Sequence, residues 1–249
     1  MPTKPKLAFM HIMKTAGTTL RYMLASQYER DQIMPVPLGG GTADDAIYPT
    51  RKVDYPLVMA EMMNNPHWSD GHRLIMGHYH WGHMRLLSDD WNIVSFFRDP
   101  VERYLSHYYF IRNRANDHQH YEQVANTPLA DFLDTETSVR WLANNQARTM
   151  AYHYDAPITK SVVNQALIHL GRLATIGIVE QMPESIALLE SSYGFKFPMK
   201  MHLNQTPRTE SISGDLRQRI MELNGADYVL YEVAQKRFRE QYDEASDFR

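Results

Sequence analysis

The chain has 249 residues, 43% of them hydrophobic and 22% charged, with a formal net charge of −3 and a pI of about 6.5. That balance argues against general binding to nucleic acid or to an anionic membrane, both of which reward a strongly basic surface. There is no cysteine, so disulfides and thiolate metal sites are excluded, and no run approaches the ~20 apolar residues a membrane-spanning helix needs.

Met1–Lys6 is short and polar, and Leu7–Ile12 is too brief for a signal-peptide core. A soluble, cytoplasmic protein is expected, folded as one domain over residues 1–249. Lys6–Ile12 reads as a short buried strand that runs into a small-residue turn, Lys14-Thr15-Ala16-Gly17-Thr18-Thr19. Leu20, Met23, Leu24 and Tyr28 then recur at helical spacing, so a helix opens at Gly17 or Thr18. Pro35–Pro56, rich in proline and holding Gly39-Gly40-Gly41, reads as a long loop suited to a lid. Arg73–Gly77 and Trp91–Phe97 are the second and third strand runs. After the third, Asp99 suits an N-cap, Pro100 the first helical position and Glu102 the return half of a capping box. Val101, Tyr104, Leu105 and Tyr108 give that helix an apolar stripe; Arg103, Arg112 and Arg114 form a basic cluster that faces either an anion or solvent. Residues 128–172 read as helical, with starts at Asp131, Thr137 and Thr159. Thr175–Val179 is a fourth strand, and Pro183–Ser192 and the stretch from Asp215 are helices, the last striped by Tyr231, Ala234, Phe238 and Tyr242. Strands alternating with helices predict an α/β fold, a mostly parallel sheet flanked by helices.

The strand–turn–helix unit at the start has the chemistry of an anion site. The first N–H groups of a helix have no internal partner, and the positive end of the dipole stands behind them. Gly17 lets the backbone come close, Thr15, Thr18 and Thr19 add hydroxyls, and Lys14 adds a charge at the mouth. The nucleotide-triphosphate loop G-x-x-x-x-G-K-[ST] places its lysine after the glycines; here the lysine comes first, so a P-loop kinase is the lesser reading.

His11-Ile12-Met13-Lys14-Thr15-Ala16-Gly17-Thr18-Thr19-Leu20 resembles the 5′-phosphosulfate loop of the sulfotransferase family that includes heparan sulfate 2-O-sulfotransferases and many bacterial enzymes, with Met13 in place of the usual proline. Phe97-Arg98-Asp99-Pro100-Val101-Glu102-Arg103-Tyr104-Leu105-Ser106-His107-Tyr108 resembles that family's 3′-phosphate segment. Weaker likenesses follow at Asn144–Arg148, Gly177–Glu180 and His202–Arg208. The resemblance implies a P-loop-like sulfotransferase fold and the donor 3′-phosphoadenosine 5′-phosphosulfate. It assigns Lys14, Thr15, Ala16, Gly17, Thr18 and Thr19 to the 5′-phosphosulfate, Arg98 and Ser106 to the 3′-phosphate, and Thr206 and Arg208 to a segment closing over the nucleotide.

The same resemblance implies direct in-line transfer to a hydroxyl, with Lys14 stabilising the departing phosphate and no metal required. The acceptor's proton needs a base, and the second strand ends in Gly77-His78-Tyr79-His80-Trp81-Gly82-His83. In the heparan-acting relatives a His-x-His pair ends this strand; His78 matches its second member, Met76 stands where the first would be, and His80 is a local substitute. His78 is thus the expected base, against two plainer readings: a structural histidine, or a metal site with His80 and His83, which lacks a carboxylate at ligand spacing. His72, His118 and His120 read as surface residues, and Glu61, Glu180 and His107 as salt-bridge or capping groups. Tyr79, Trp81 and Tyr108 either wall the acceptor or pack in the core. The acceptor is a saccharide, small-molecule or carrier-bound hydroxyl, and the acidic pI disfavours a heavily sulfated polymer. A catalytically inactive sensor of adenosine 3′,5′-bisphosphate is the alternative from another class; the presence of Lys14 weighs against it.

Overall fold

The computed structural model describes residues 4–35, 44, 47, 54–113, 118, 120–152, 157–197 and 211–247. Strands β1 (Lys6–Met10), β2 (Leu74–Gly77), β3 (Trp91–Phe97) and β4 (Thr175–Ile178) fall on the predicted apolar runs. They lie parallel in the order β2-β1-β3-β4, with Leu7 opposite both Leu74 and Asn92, and Val94 opposite Thr175. Leu7, Ala8, Phe9 and Met10 expose nothing. A parallel sheet is covered on both faces, so its central strand reads as an unbroken apolar run. From β1 the order turns one way to β2 and the other way to β3, which opens a crevice beyond the C-terminal ends of β1 and β3.

The covering helices are α1 (Gly17–Ala25), α2 (Tyr55–Asn64), the single turn α3 (Trp81–Met84), α4 (Pro100–Arg112), α5 (Tyr121–Asn126), α6 (Leu129–Phe132), α7 (Asn145–Ala151), α8 (Lys160–Leu170), α9 (Met182–Tyr193), α10 (Gly214–Leu223) and α11 (Gly225–Asp247). One apolar cluster covers the sheet; a second ties Tyr104 and Tyr108 of α4 to Phe132 and to Leu142 in a π-helical turn, Ser138–Leu142. The helical stretch expected over 128–172 is broken. Asn144, at φ 51, redirects the chain between the π-helical turn and α7, and of the three expected starts only Thr159 caps a helix, accepting the Val162 N–H. Asn224 likewise divides the C-terminal helix in two; of the predicted stripe Tyr231, Ala234 and Phe238 are buried and Tyr242 is half-buried.

The basic cluster does not exist as such. Arg103 is fully buried, its Nε 3.7 Å from an Asp227 oxygen that is equally buried. Asp227 also accepts the N–H groups of Gln146 and Ala147, at 3.2 and 2.7 Å. Burial pushes the Asp227 carboxyl upward, and Arg103 and those two N–H groups oppose the shift. The pair therefore locks α4, α7 and α11 together. Arg112 donates to the Tyr108 hydroxyl at 2.7 Å, and Arg114 lies outside the described residues, as do Thr206, Arg208 and most of the 35–56 loop. No helix among the described residues is long and apolar enough to cross a membrane.

Candidate active site

The chain leaves β1 at His11, whose N–H still bonds the Gly77 carbonyl at 2.9 Å. Lys14 and Ala16 then take left-handed φ values of 70 and 63, a conformation that costs a residue with a Cβ ~1–2 kcal/mol. Ala16 is the N-cap of α1; it offers no side-chain cap, and no acid sits in the first turn. The N-terminal N–H groups of α1 thus have no side-chain cap, and the helix dipole favours negative charge there. The neighbouring helix is built the opposite way, since Asp99 closes α4 by accepting the Glu102 N–H at 2.9 Å.

One loop hydroxyl plays a different part from that expected, and one glycine meets a further constraint. Thr15 is buried and donates its hydroxyl proton to the Ile12 carbonyl at 2.9 Å, so it braces the turn and has only its main-chain N–H to offer a ligand. Gly17 is required by His11, because a Cβ there would stand 1.7 Å from His11 Nε2. Thr18 is exposed and Thr19 buried.

On the other side of the crevice, Arg98 follows β3. Its Nη1 donates to the Lys14 carbonyl at 3.2 Å, which brings the two sequence motifs into contact. The Gln146 side chain clamps the Arg98 backbone, accepting its N–H and donating to its carbonyl, both at 2.9 Å. Glu180 accepts the Asp99 N–H at 3.2 Å, lies 3.9 Å from Arg98 Nε and accepts the Tyr231 hydroxyl at 2.9 Å. The capping box predicted for Glu102 is therefore corrected: Glu180 takes the N-cap amide, and Glu102 pairs with Arg217 at 2.6 Å. Ser106 is buried two turns into α4, one turn before Phe110 on the same face. Lys14 Nζ stands 3.9 Å over the Phe110 ring, so Lys14 meets both Arg98 and the helix face that carries Ser106.

A model of the sulfotransferase family matches residues 1–233 of the 249. The chain belongs to the sulfotransferase family. No curated protein matches it. Family membership gives sulfotransfer as its general chemistry and fits the all-parallel sheet flanked by helices.

In this sulfotransferase the third strand end, that of β2, carries His78. Its backbone N–H donates to the Tyr55 hydroxyl at 2.8 Å and its Nδ1 donates to the His11 carbonyl at 3.1 Å. The carbonyl only accepts, so His78 is the Nδ1–H tautomer and Nε2 carries the lone pair. The ring stacks on that of His11, 4.2 Å between centroids. Burial first, then the Arg21 guanidinium and the Lys14 ammonium, bring the His78 pKa down to about 3; the bond to the His11 carbonyl opposes them. The imidazole is therefore neutral at physiological pH.

The partner of His78 is thus His11, from the adjacent strand, and not His80. His80 and His83 are both buried and bonded to each other, Nδ1 to Nδ1 at 3.1 Å, where they close the α3 turn. Among the described residues no group of three or more His, Asp or Glu side chains is placed to hold a metal ion. Tyr79, Trp81 and Tyr108 are buried and pack in the core. His107 is neither bridge nor cap: it is buried, and its Nδ1 has no partner among the described residues. His118 and His120 are half-buried beside Phe110 and Trp141. Sequence reasoning overlooked Gln146 as the clamp on Arg98, and His11, Arg21 and Tyr55 as the surroundings of His78. Arg21 did leave a signal, a charge beside Leu20 on the apolar face of its helix.

Proposed function

We propose that this protein transfers a sulfuryl group from 3′-phosphoadenosine 5′-phosphosulfate to a hydroxyl of a saccharide, small-molecule or carrier-bound acceptor. The observation that carries the reading is the 3.2 Å bond from Arg98 to the Lys14 carbonyl, which joins two phosphate-type motifs at one sheet crevice. The donor set fits a multiply charged anion. An uncapped helix N-terminus and Lys14 face one end, and Arg98 and Ser106 the other.

The donor supplies a sulfur–oxygen bond to a phosphate leaving group, broken as the acceptor oxygen attacks from the opposite side. Main-chain N–H groups of the 14–19 loop hold the 5′ end, with Thr18 and Thr19 hydroxyls as additional donors. Lys14 offsets the charge that grows on the leaving oxygen, which is where preorganised electrostatics contribute most. Arg98 and Ser106 bind the 3′-phosphate and fix the position of the nucleotide. His78 Nε2 takes the acceptor's proton. Thr206 and Arg208 belong to a segment that closes over the nucleotide.

Calorimetric titration with adenosine 3′,5′-bisphosphate, with magnesium-ATP as control, tests the reading. Metal-free binding of the bisphosphate that is largely lost in Arg98→Ala is expected. Preference for magnesium-ATP refutes the donor assignment, and binding without any donor turnover identifies a sensor instead.

A further inference from the structure

Arg21 lies in the second turn of α1 and is only 4% exposed. Its Nη2 donates to His11 Nδ1 at 2.9 Å, and its Nε has no partner among the described residues. Among the described residues the ionisable groups acting on it are Tyr55 and Tyr79, not carboxylates. Burying a guanidinium without a counter-charge is costly, and an uncharged side chain of similar volume would pack there without that cost. The arrangement therefore has to be explained by what the charge does to its neighbours.

The hydrogen bonds give a direction. Arginine only donates, so His11 Nδ1 accepts and the His11 proton sits on Nε2. The His11 ring is confined by the Gly17 backbone, by Phe9 at 5.7 Å and by the His78 ring at 4.2 Å. With that ring fixed, the His11 carbonyl stands where His78 Nδ1–H can donate to it. The titratable or charged groups facing His78 are His11 from the end of β1, Lys14 from the loop, Arg21 from α1 and Tyr55 from α2. Two of these are permanent or near-permanent cations, and none is a carboxylate. A positive charge on either stacked imidazole is therefore opposed by Arg21 from α1 and by Lys14 from the loop.

We infer that Arg21 and His11 are positioning residues that hold His78 as the neutral Nδ1–H tautomer, with Nε2 directed to the acceptor's proton. This rests on His78 being the base of the proposed transfer. Arg21 supplies charge and His11 supplies geometry, and neither touches the reacting atoms.

Imidazole nitrogen NMR on the full chain tests it, with the His78 signals identified from their loss in His78→Gln. In the wild type, the Nδ1–H form of His78 is expected to persist well below neutral pH. Arg21→Gln keeps a donor for His11 but removes the charge, and is expected to raise the His78 pKa by about one unit, a tenfold gain in proton affinity. Arg21→Met is expected to do the same and also to mix the two tautomers, whereas Arg21→Lys restores the wild-type titration. For turnover of the phosphosulfate donor with water as acceptor, the acidic limb of kcat/KM should move to correspondingly higher pH, with bisphosphate affinity unchanged. If Arg21→Met does not fold, Arg21→Gln decides. A His78 titration and tautomer identical to wild type in folded Arg21→Gln overturns the positioning role and leaves the base assignment standing. Undiminished turnover in His78→Gln overturns the base assignment itself, whatever the spectra show.

Discussion

Replacing Gly17 by alanine isolates the contact that organises the loop. Gly17 is not among the glycines at positive φ, so an alanine backbone fits and would by itself stabilise the fold by ~0.5–1 kcal/mol through the unfolded chain. Against that, the new Cβ would stand 1.7 to 2.1 Å from three atoms of the His11 ring. The ring has little room to yield, being bonded to Arg21 at 2.9 Å and stacked on His78 at 4.2 Å. Overpacking of this kind costs ~1–3 kcal/mol, so Gly17→Ala should lose up to ~2.5 kcal/mol net when His11 is present. In a His11→Ala background the clash disappears and the same substitution should be neutral or stabilising, a coupling of ~1–3 kcal/mol. Urea unfolding of the four proteins with a common m value measures it, and calorimetry with adenosine 3′,5′-bisphosphate follows the site in parallel. An equal cost of Gly17→Ala in both backgrounds would refute the reasoning, since the glycine would then serve the backbone and not the ring.

Three further outcomes follow from the same geometry. Gln146→Leu removes both bonds that clamp the Arg98 backbone; a stability loss of ~1–3 kcal/mol should accompany bisphosphate binding weakened roughly tenfold, or ~1.4 kcal/mol, and unchanged affinity would show that the clamp does not position Arg98. Asp227→Ala strands the buried Arg103 charge and should cost ~3–5 kcal/mol, so a loss under ~1 kcal/mol in urea unfolding would contradict the ion pair's role. His78 and His80 have folded pKa values near 3, against ~6.5 in an unfolded chain. Between those limits the unfolded state binds more protons, so stability should fall as pH drops below about 6.5, by up to ~1.4 kcal/mol per pH unit for each histidine, and the loss should be complete near pH 3. His11, His83 and His107 are lowered in the same sense by burial; unfolding should therefore take up more than one proton in this range, and a flat stability between neutral pH and pH 5 would refute it.

Much of this protein was legible from neighbouring residues alone. Apolar runs located β1 to β4, helical spacing opened α1 at Gly17, and Asp99-Pro100 fixed the start of α4, because period, backbone sterics and capping act over a few residues. The two motifs also pointed to Lys14 and Arg98 as neighbours, which the Arg98 bond to the Lys14 carbonyl bears out. Partners remote in sequence were not legible. Glu102 gave up its capping box to Arg217, 115 residues away, and Glu180 took its place. Arg103, read with the surface basics, was drawn into the core by Asp227 of α11. His78 found its neighbour in His11, 67 residues earlier, and not in His80 two residues on. The sequence by itself determined the four strands and the helix starts at Gly17 and Pro100, since those depend on short-range sterics and capping. Only the packed sheet decided which charge is buried, which glycine is obligatory and which tautomer the histidine holds, because burial, field and contact arise only once distant segments exclude water together.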